Sequence, residues 1–188
     1  NPSGVIDEST FPFPLNDYGL SHLQAEEYVR MYERLGLVKG LVIRPSNFFG
    51  LPANIKDCKR WTLAPLAFCK SAVENKFIKL ESAGYQVRNF VSVLDICKVI
   101  NSAFDKNISL IHIPGPDTLS IRELAQLVKR KVEKEHNVCV ELFIPDGDCF
   151  EDNFIYTSLF LKDIFSPNDR ISNFIIDFCN ILKKECDL

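Results

Sequence analysis

Residues 17–50 read DYGLSHLQAEEYVRMYERLGLVKGLVIRPSNFFG, and two different patterns follow one another within them. Over Ala25, Tyr28, Val29, Tyr32 and Leu35 the apolar side chains recur at helical spacing. Asn16 or Asp17 can accept the free N–H groups of the first turn, and Gly36 can close the last. The run Leu41-Val42-Ile43 then stands between Gly40 and Pro45, short and wholly apolar. A parallel strand covered on both faces has that composition. A helix that turns back into a buried strand is a building unit of α/β proteins.

The alternation continues downstream. A helix is predicted from about Thr62 to Glu74, with Pro65 near its start, where a missing N–H is tolerated. Phe77 to Leu80 and Arg88 to Val93 read as short strands on either side of the Ala83-Gly84 turn. Asp95 is expected to cap a helix whose Ile96, Val99, Ile100, Ala103 and Phe104 form one stripe. Ile108 to Ile113 reads as a strand closed by Pro114-Gly115-Pro116. Ser120 and Glu123 form a capping box ahead of Leu124, Leu127, Val128 and Val132. Val138 to Ile144 is a further strand, and a last helix from about Asn168 to Lys184 carries Ile171, Phe174, Ile175, Phe178 and Leu182 on one face. The first fifteen residues, with Pro2, Gly4, Pro12 and Pro14, read as an irregular lead-in.

Composition narrows the function classes. With 188 residues, 46% hydrophobic and 25% charged, the chain can bury a sizeable core. A net charge of -3 gives no general attraction to nucleic acid or to an anionic membrane, and Lys129-Arg130-Lys131 lies among acidic neighbours as a solvated helix face. No apolar run approaches the ~20 residues of a spanning helix. The N-terminus has neither signal-peptide nor transit-peptide character. The seven cysteines form no C-x-x-C and no metal-ligand pattern with His22, His112 or His136. Expected, therefore, are a reducing cytoplasm, no metal, no nucleic-acid partner and no membrane.

Chemistry concentrates in Asp17-Tyr18-Gly19-Leu20-Ser21-His22. Residues four apart share a helix face, so the Tyr18 hydroxyl and the His22 imidazole can reach one pocket. A tyrosine has an unperturbed pKa of about 10, so acid/base work at neutral pH requires a nearby cation that stabilises phenolate.

Four stretches in order carry a resemblance to the extended short-chain dehydrogenases of the NAD-dependent epimerase/dehydratase family. Asp7-Glu8, Tyr18-Gly19-Leu20-Ser21 and Ala25-Glu26 resemble the family's D-E-x-x-P, Y-G-x-S-K and A-E. Arg44-Pro45-Ser46-Asn47-Phe48-Phe49-Gly50 is similar to R-P-x-N-x-Y-G. Arg88-Asn89-Phe90-Val91-Ser92-Val93-Leu94-Asp95 is similar to R-D-F-V-x-V-x-D, and Ile113-Pro114-Gly115-Pro116 with Leu119-Ser120-Ile121 resembles a later turn and helix.

The resemblance implies a fold: a partial Rossmann-like, doubly wound parallel sheet plus a small C-terminal substrate-binding α/β subdomain. Residues 1–60 would hold the catalytic helix and the later part of the Rossmann sheet. Residues 61–188 would hold the substrate-binding subdomain, interleaved with a last Rossmann strand and helix. It also implies roles. Tyr18 would move a proton to or from a sugar hydroxyl while hydride passes to or from NAD or NADP, with Tyr18, His22, Pro45 and Ser46 beside the cofactor. Asn47 would lie beside a nucleotide-sugar substrate, and Arg88 would approach its diphosphate with a permanently charged fork.

Three departures qualify what the resemblance implies. His22 stands where the family has lysine, and a histidine is largely neutral above its unperturbed pKa of about 6.5. Phe49 replaces the family's tyrosine, keeping the ring without the hydroxyl. The eight glycines nowhere form the G-x-G-x-x-G that receives a dinucleotide pyrophosphate. The expectation is therefore the C-terminal portion of such an enzyme, associating with a missing N-terminal half or as a homodimer. Asn1-Pro2-Ser3-Gly4 would follow directly on the missing part.

Overall fold

The computed structural model describes residues 4–104, 106, 108–148 and 154–186, so Asn1, Pro2, Ser3 and Cys149 lie outside the described residues, as does the Cys186 side chain. The chain opens with β1 (Gly4–Ile6) and α1 (Asp17–Arg34). Then come β2 (Val42–Pro45), β3 (Asn47–Phe49), α2 (Ala64–Glu74), β4 (Phe77–Lys79), β5 (Val87–Ser92) and α3 (Val93–Ala103). They are followed by β6 (Leu110–Ile113), β7 (Asp117–Ser120), α4 (Ile121–His136), β8 (Glu141–Phe143), β9 (Phe154–Tyr156) and α5 (Ile171–Cys186), with one 3-10 turn at Leu161–Asp163.

The strands form mostly parallel ladders, as an α/β chain with helical crossovers requires. β2 pairs with β6 from Val42 opposite Leu110 to Pro45 opposite Ile113. β3 runs parallel to β5, while β7 closes on the other edge of β5 antiparallel. β4 pairs with β8, and β1 pairs with β9 across most of the chain. The two strands flanking Gly84, itself at φ +74, therefore pair with other strands and not with each other.

Successive residues of β5 face opposite sides. Phe90 joins a larger apolar cluster built on α2, α4 and α5, and Val91 joins a smaller one with Ile96, Val99, Ile111 and Ile113. The predicted faces of α4 and α5 are the buried ones: Leu124, Val128 and Val132, and Ile171, Phe174, Ile175, Phe178 and Leu182. By contrast α1 buries no residue, and Tyr28 and Leu35 of its apolar set stand mostly exposed.

The helix ends follow local chemistry. Asn16 Oδ1 accepts the Gly19 N–H at 2.8 Å to start α1. Gly36, at φ +69, lets the Gly36 and Leu37 N–H groups turn back onto the carbonyls of Glu33 and Tyr32. The capping box of α4 is present in both directions between Ser120 and Glu123. Asp95 corrects its expectation. Ser92 caps α3 by accepting the Leu94 N–H, and Asp95, one residue further and fully buried, points elsewhere. Its carboxylate accepts the N–H groups of Asn168 and Asp169 at 2.7 and 2.8 Å, tying α3 to the start of α5. Phe104, placed on the apolar stripe of α3, is exposed.

Candidate active site

The end of β2 delivers Pro45, Ser46 and Asn47 to one edge, and β5 delivers Arg88 beside them. Asn47 Nδ2 donates to the Asn89 carbonyl at 3.3 Å, so the two strands meet through the side chain expected at the substrate. Asn89 is itself buried and locked: its amide donates to the Gly115 carbonyl and Thr118 Oγ1, and its oxygen accepts the Gly115 N–H at 2.7 Å. That close turn requires glycine, because a Cβ at Gly115 would lie 1.7 Å from the Phe90 carbonyl oxygen. Arg88, next to this lock, donates to the Val87 carbonyl at 2.7 Å.

A cleft of about 540 Å³ gathers Pro45, Ser46, Asn47 and Arg88 with Phe48, Phe90, Phe154 and Tyr156. Its size suits a small-molecule ligand. The Ser46 hydroxyl is buried in that wall and has no hydrogen-bond partner, while the Ser46 N–H is held by the Ile113 carbonyl. A buried polar atom left unpaired is costly unless something fills the position. Phe49, in the family's tyrosine position, turns away into the core with its ring centroid 5.3 Å from that of Phe174.

Tyr18 and His22 do touch, ring centroid to ring centroid at 4.5 Å with an edge-on angle of 67°. Both are exposed, Tyr18 by 74%, and neither lines the cleft that holds the other four residues. The six expected site residues thus fall into two groups, one on α1 and one between β2 and β5.

Behind the cleft lies a polar network that sequence reasoning did not assign. Arg44 grips Glu26 of α1 with both ends of its guanidinium, at 2.9 and 2.6 Å. Glu8 accepts the His112 N–H at 2.7 Å, the Leu159 N–H at 2.8 Å and the Ser158 hydroxyl. Burial alone would raise the Glu8 pKa, but these hydrogen bonds outweigh it and hold the carboxyl below its ordinary range. Tyr156 stacks on His112 at 5.0 Å and donates its hydroxyl to the Arg44 carbonyl at 2.6 Å. Burial pushes the Tyr156 pKa further up, so this second tyrosine is a fixed donor and not a proton-transfer group. Asp7-Glu8, Glu26 and Arg44 were visible as motif residues; Tyr156 sits in a stretch that shows no clear periodicity.

The residues expected beside a nicotinamide are divided between the exposed Tyr18–His22 pair and the unpaired Ser46 hydroxyl in the cleft wall, and the sequence carries no G-x-G-x-x-G for a pyrophosphate. Among the described residues no group of acidic, histidine or cysteine side chains is arranged to hold a metal, and no helix is long and apolar enough to cross a membrane.

A family model described as the NAD dependent epimerase/dehydratase family matches residues 2–112. A protein of Methanocaldococcus jannaschii named "Putative UDP-glucose 4-epimerase" is 28% identical over 127 residues, 68% of this chain and 41% of its own length. Among solved structures, UDP-glucuronic acid 4-epimerase from Bacillus cereus, in complex with UDP-glucuronic acid and NAD, aligns at a TM-score of 0.75 and 21% identity, over 98% of this chain and 58% of that one. RMD from Pseudomonas aeruginosa, complexed with NADPH, aligns at 0.77 and 16% identity, over 95% and 60%. This chain therefore spans between two-fifths and three-fifths of the proteins it resembles.

Proposed function

We propose that this chain, which belongs to the NAD dependent epimerase/dehydratase family, contributes the substrate cleft and the acid/base tyrosine of an enzyme acting on nucleotide-linked sugars. The observation that carries the proposal is the single cleft uniting Pro45, Ser46, Asn47 and Arg88. The larger apolar cluster around α2, α4 and α5 would be the substrate-binding unit expected for residues 61–188, and residues 1–60 would supply the catalytic helix.

In this reading Arg88 pairs with the diphosphate, and Asn47 orients the first sugar, held in place by its bond to the Asn89 carbonyl. Tyr18 takes or returns the proton of a sugar hydroxyl, and His22, in edge-on contact with its ring, helps to polarise it. A bound NAD or NADP would accept and return hydride at the sugar carbon. Epimerase or reductase chemistry needs least beyond the tyrosine, and so stands ahead of dehydration. The cytoplasm is the proposed compartment, in keeping with free thiols at Cys58, Cys69, Cys97, Cys139 and Cys179.

A second reading is favoured by His22 in place of the family's lysine: a module that holds a nucleotide sugar, or another subunit, without turning it over. Calorimetric titration with UDP-, GDP- and dTDP-sugars, and separately with NAD(H) and NADP(H), tests both. Nucleotide-sugar binding that Arg88→Gln weakens by about ten-fold or more supports the cleft; undiminished binding in that variant sinks it. Turnover by the whole protein that vanishes in Tyr18→Phe supports the enzyme, and a rate and pH profile unchanged by His22→Lys would remove His22 from the mechanism.

A further inference from the structure

Tyr18 and His22 stand on α1, while Pro45, Ser46, Asn47 and Arg88 stand around the cleft, so a reaction that uses both groups needs a joint between them. The helix offers few ways to make one. Gly19, Leu23, Glu26, Arg30 and Glu33 are half-buried and fall three or four positions apart on one stripe, and the last three are charged. Tyr28, Tyr32 and Leu35 stand exposed. α1 therefore turns a largely polar stripe towards the rest of the chain, where an amphipathic helix would bury an apolar one.

Arg44 of β2 is where that stripe is held. Its Nε and Nη2 donate to the two carboxylate oxygens of Glu26 at 2.9 and 2.6 Å, and each side chain is only 17% exposed. Such a two-point bond fixes orientation as well as distance. Arg30 approaches the same carboxylate from within the helix at 3.8 Å, too far for a hydrogen bond. The other end of the guanidinium, Nη1, lies 3.4 Å from His112 Nε2. Burial holds the His112 pKa below its ordinary value, so at neutral pH the ring presents a lone pair there and not a second cation. The backbone of the same arginine serves the cleft: its carbonyl accepts the hydroxyl of Tyr156, a wall residue, at 2.6 Å.

We propose that the Glu26–Arg44 pair is the joint that sets α1, and Tyr18 with it, against the cleft, which makes both positioning residues. The catalytic consequence rests on Tyr18 being the acid/base group; the joint itself does not. Tyr18 lies two helical turns before Glu26, about 12 Å along the axis. A tilt of about five degrees at the joint moves the tyrosine by about an ångström, and misplacement on that scale costs on the order of a hundred-fold in rate.

Glu26→Gln keeps the length of the side chain and removes its charge, and Arg44→Lys keeps the charge and removes the fork. In either variant, hydrogen exchange read by mass spectrometry should be about ten-fold faster in α1 and unchanged in α4 and α5. Nucleotide-sugar affinity should match that of the natural chain. In the whole protein kcat should fall by about ten-fold or more at constant KM. Unchanged exchange in α1, equal acceleration in α4 and α5, unchanged kcat, or affinity falling in step with kcat would each overturn the proposal. Should Tyr18→Phe keep its turnover, the acid/base reading falls alone, and the exchange pattern still decides the joint.

Discussion

Glu8 shows how much one side chain can hold. It reaches from the lead-in to β6 through His112, and to the segment after β9 through Ser158 and Leu159. Its folded pKa lies below its ordinary value of 4.5. Its contribution to stability is therefore complete above about pH 4.5 and is lost as pH falls through the lower folded value. Urea midpoints measured from pH 7 to pH 3 should fall less steeply in Glu8→Gln than in the natural chain over the acid part of that range, although Glu8→Gln starts lower at pH 7. Glu8 was legible as a motif residue, but not its role, because its partners lie 104 and more positions away. Tyr18 and His22 illustrate the converse. Four-residue spacing on a helix is enough to foresee their contact, since the periodicity of the backbone alone brings them together. Asn47 and Arg88 needed the β3–β5 ladder, which no local pattern specifies.

Elements were legible where their own residues dictate them. The amphipathic faces of α4 and α5 and the capping box are properties of a few neighbouring positions, and they stand as read. The strands β1, β3, β7 and β9, of three or four residues each, are too short or too irregular to announce themselves; pairing partners make them strands. Asp95 failed as a cap reading for a related reason, since Ser92 offers the same chemistry three residues earlier and tertiary structure claimed the carboxylate. Removing that carboxylate in Asp95→Ala leaves two N–H groups at the approach to α5 without acceptors and Lys98 without its partner. A loss of roughly 3 kcal/mol in urea unfolding is expected. For α1 the expectation runs the other way. With no buried residue, it depends on Asn16, on the Gly36 turn and on the Arg44–Glu26 pair. Native-state hydrogen exchange should show its amides protected far less than those of α4 and α5.

At the scale of the molecule, β5 is the common member of both apolar clusters, with Phe90 in one and Val91 in the other. Loss of either cluster strips the packing from one face of that strand and so weakens the other. Calorimetry should therefore record one unfolding transition, and Val91→Ala should move the whole of it to lower temperature instead of splitting it in two. The fold class was legible from alternating helices and strands; the joining of two clusters through one strand was not, because alternation along β5 does not say what lies on each side. The pairing of β1 with β9 has a further consequence, in time. Glu8 and Ser158 are separated by 150 positions. At ordinary synthesis rates that distance takes on the order of ten seconds to translate. For that interval β1 leaves the ribosome as an unpaired edge with its anchoring carboxylate idle, open to any other strand that reaches it first. β1, made well before β9, is thus secured late, and it depends on protection during synthesis more than its three residues suggest.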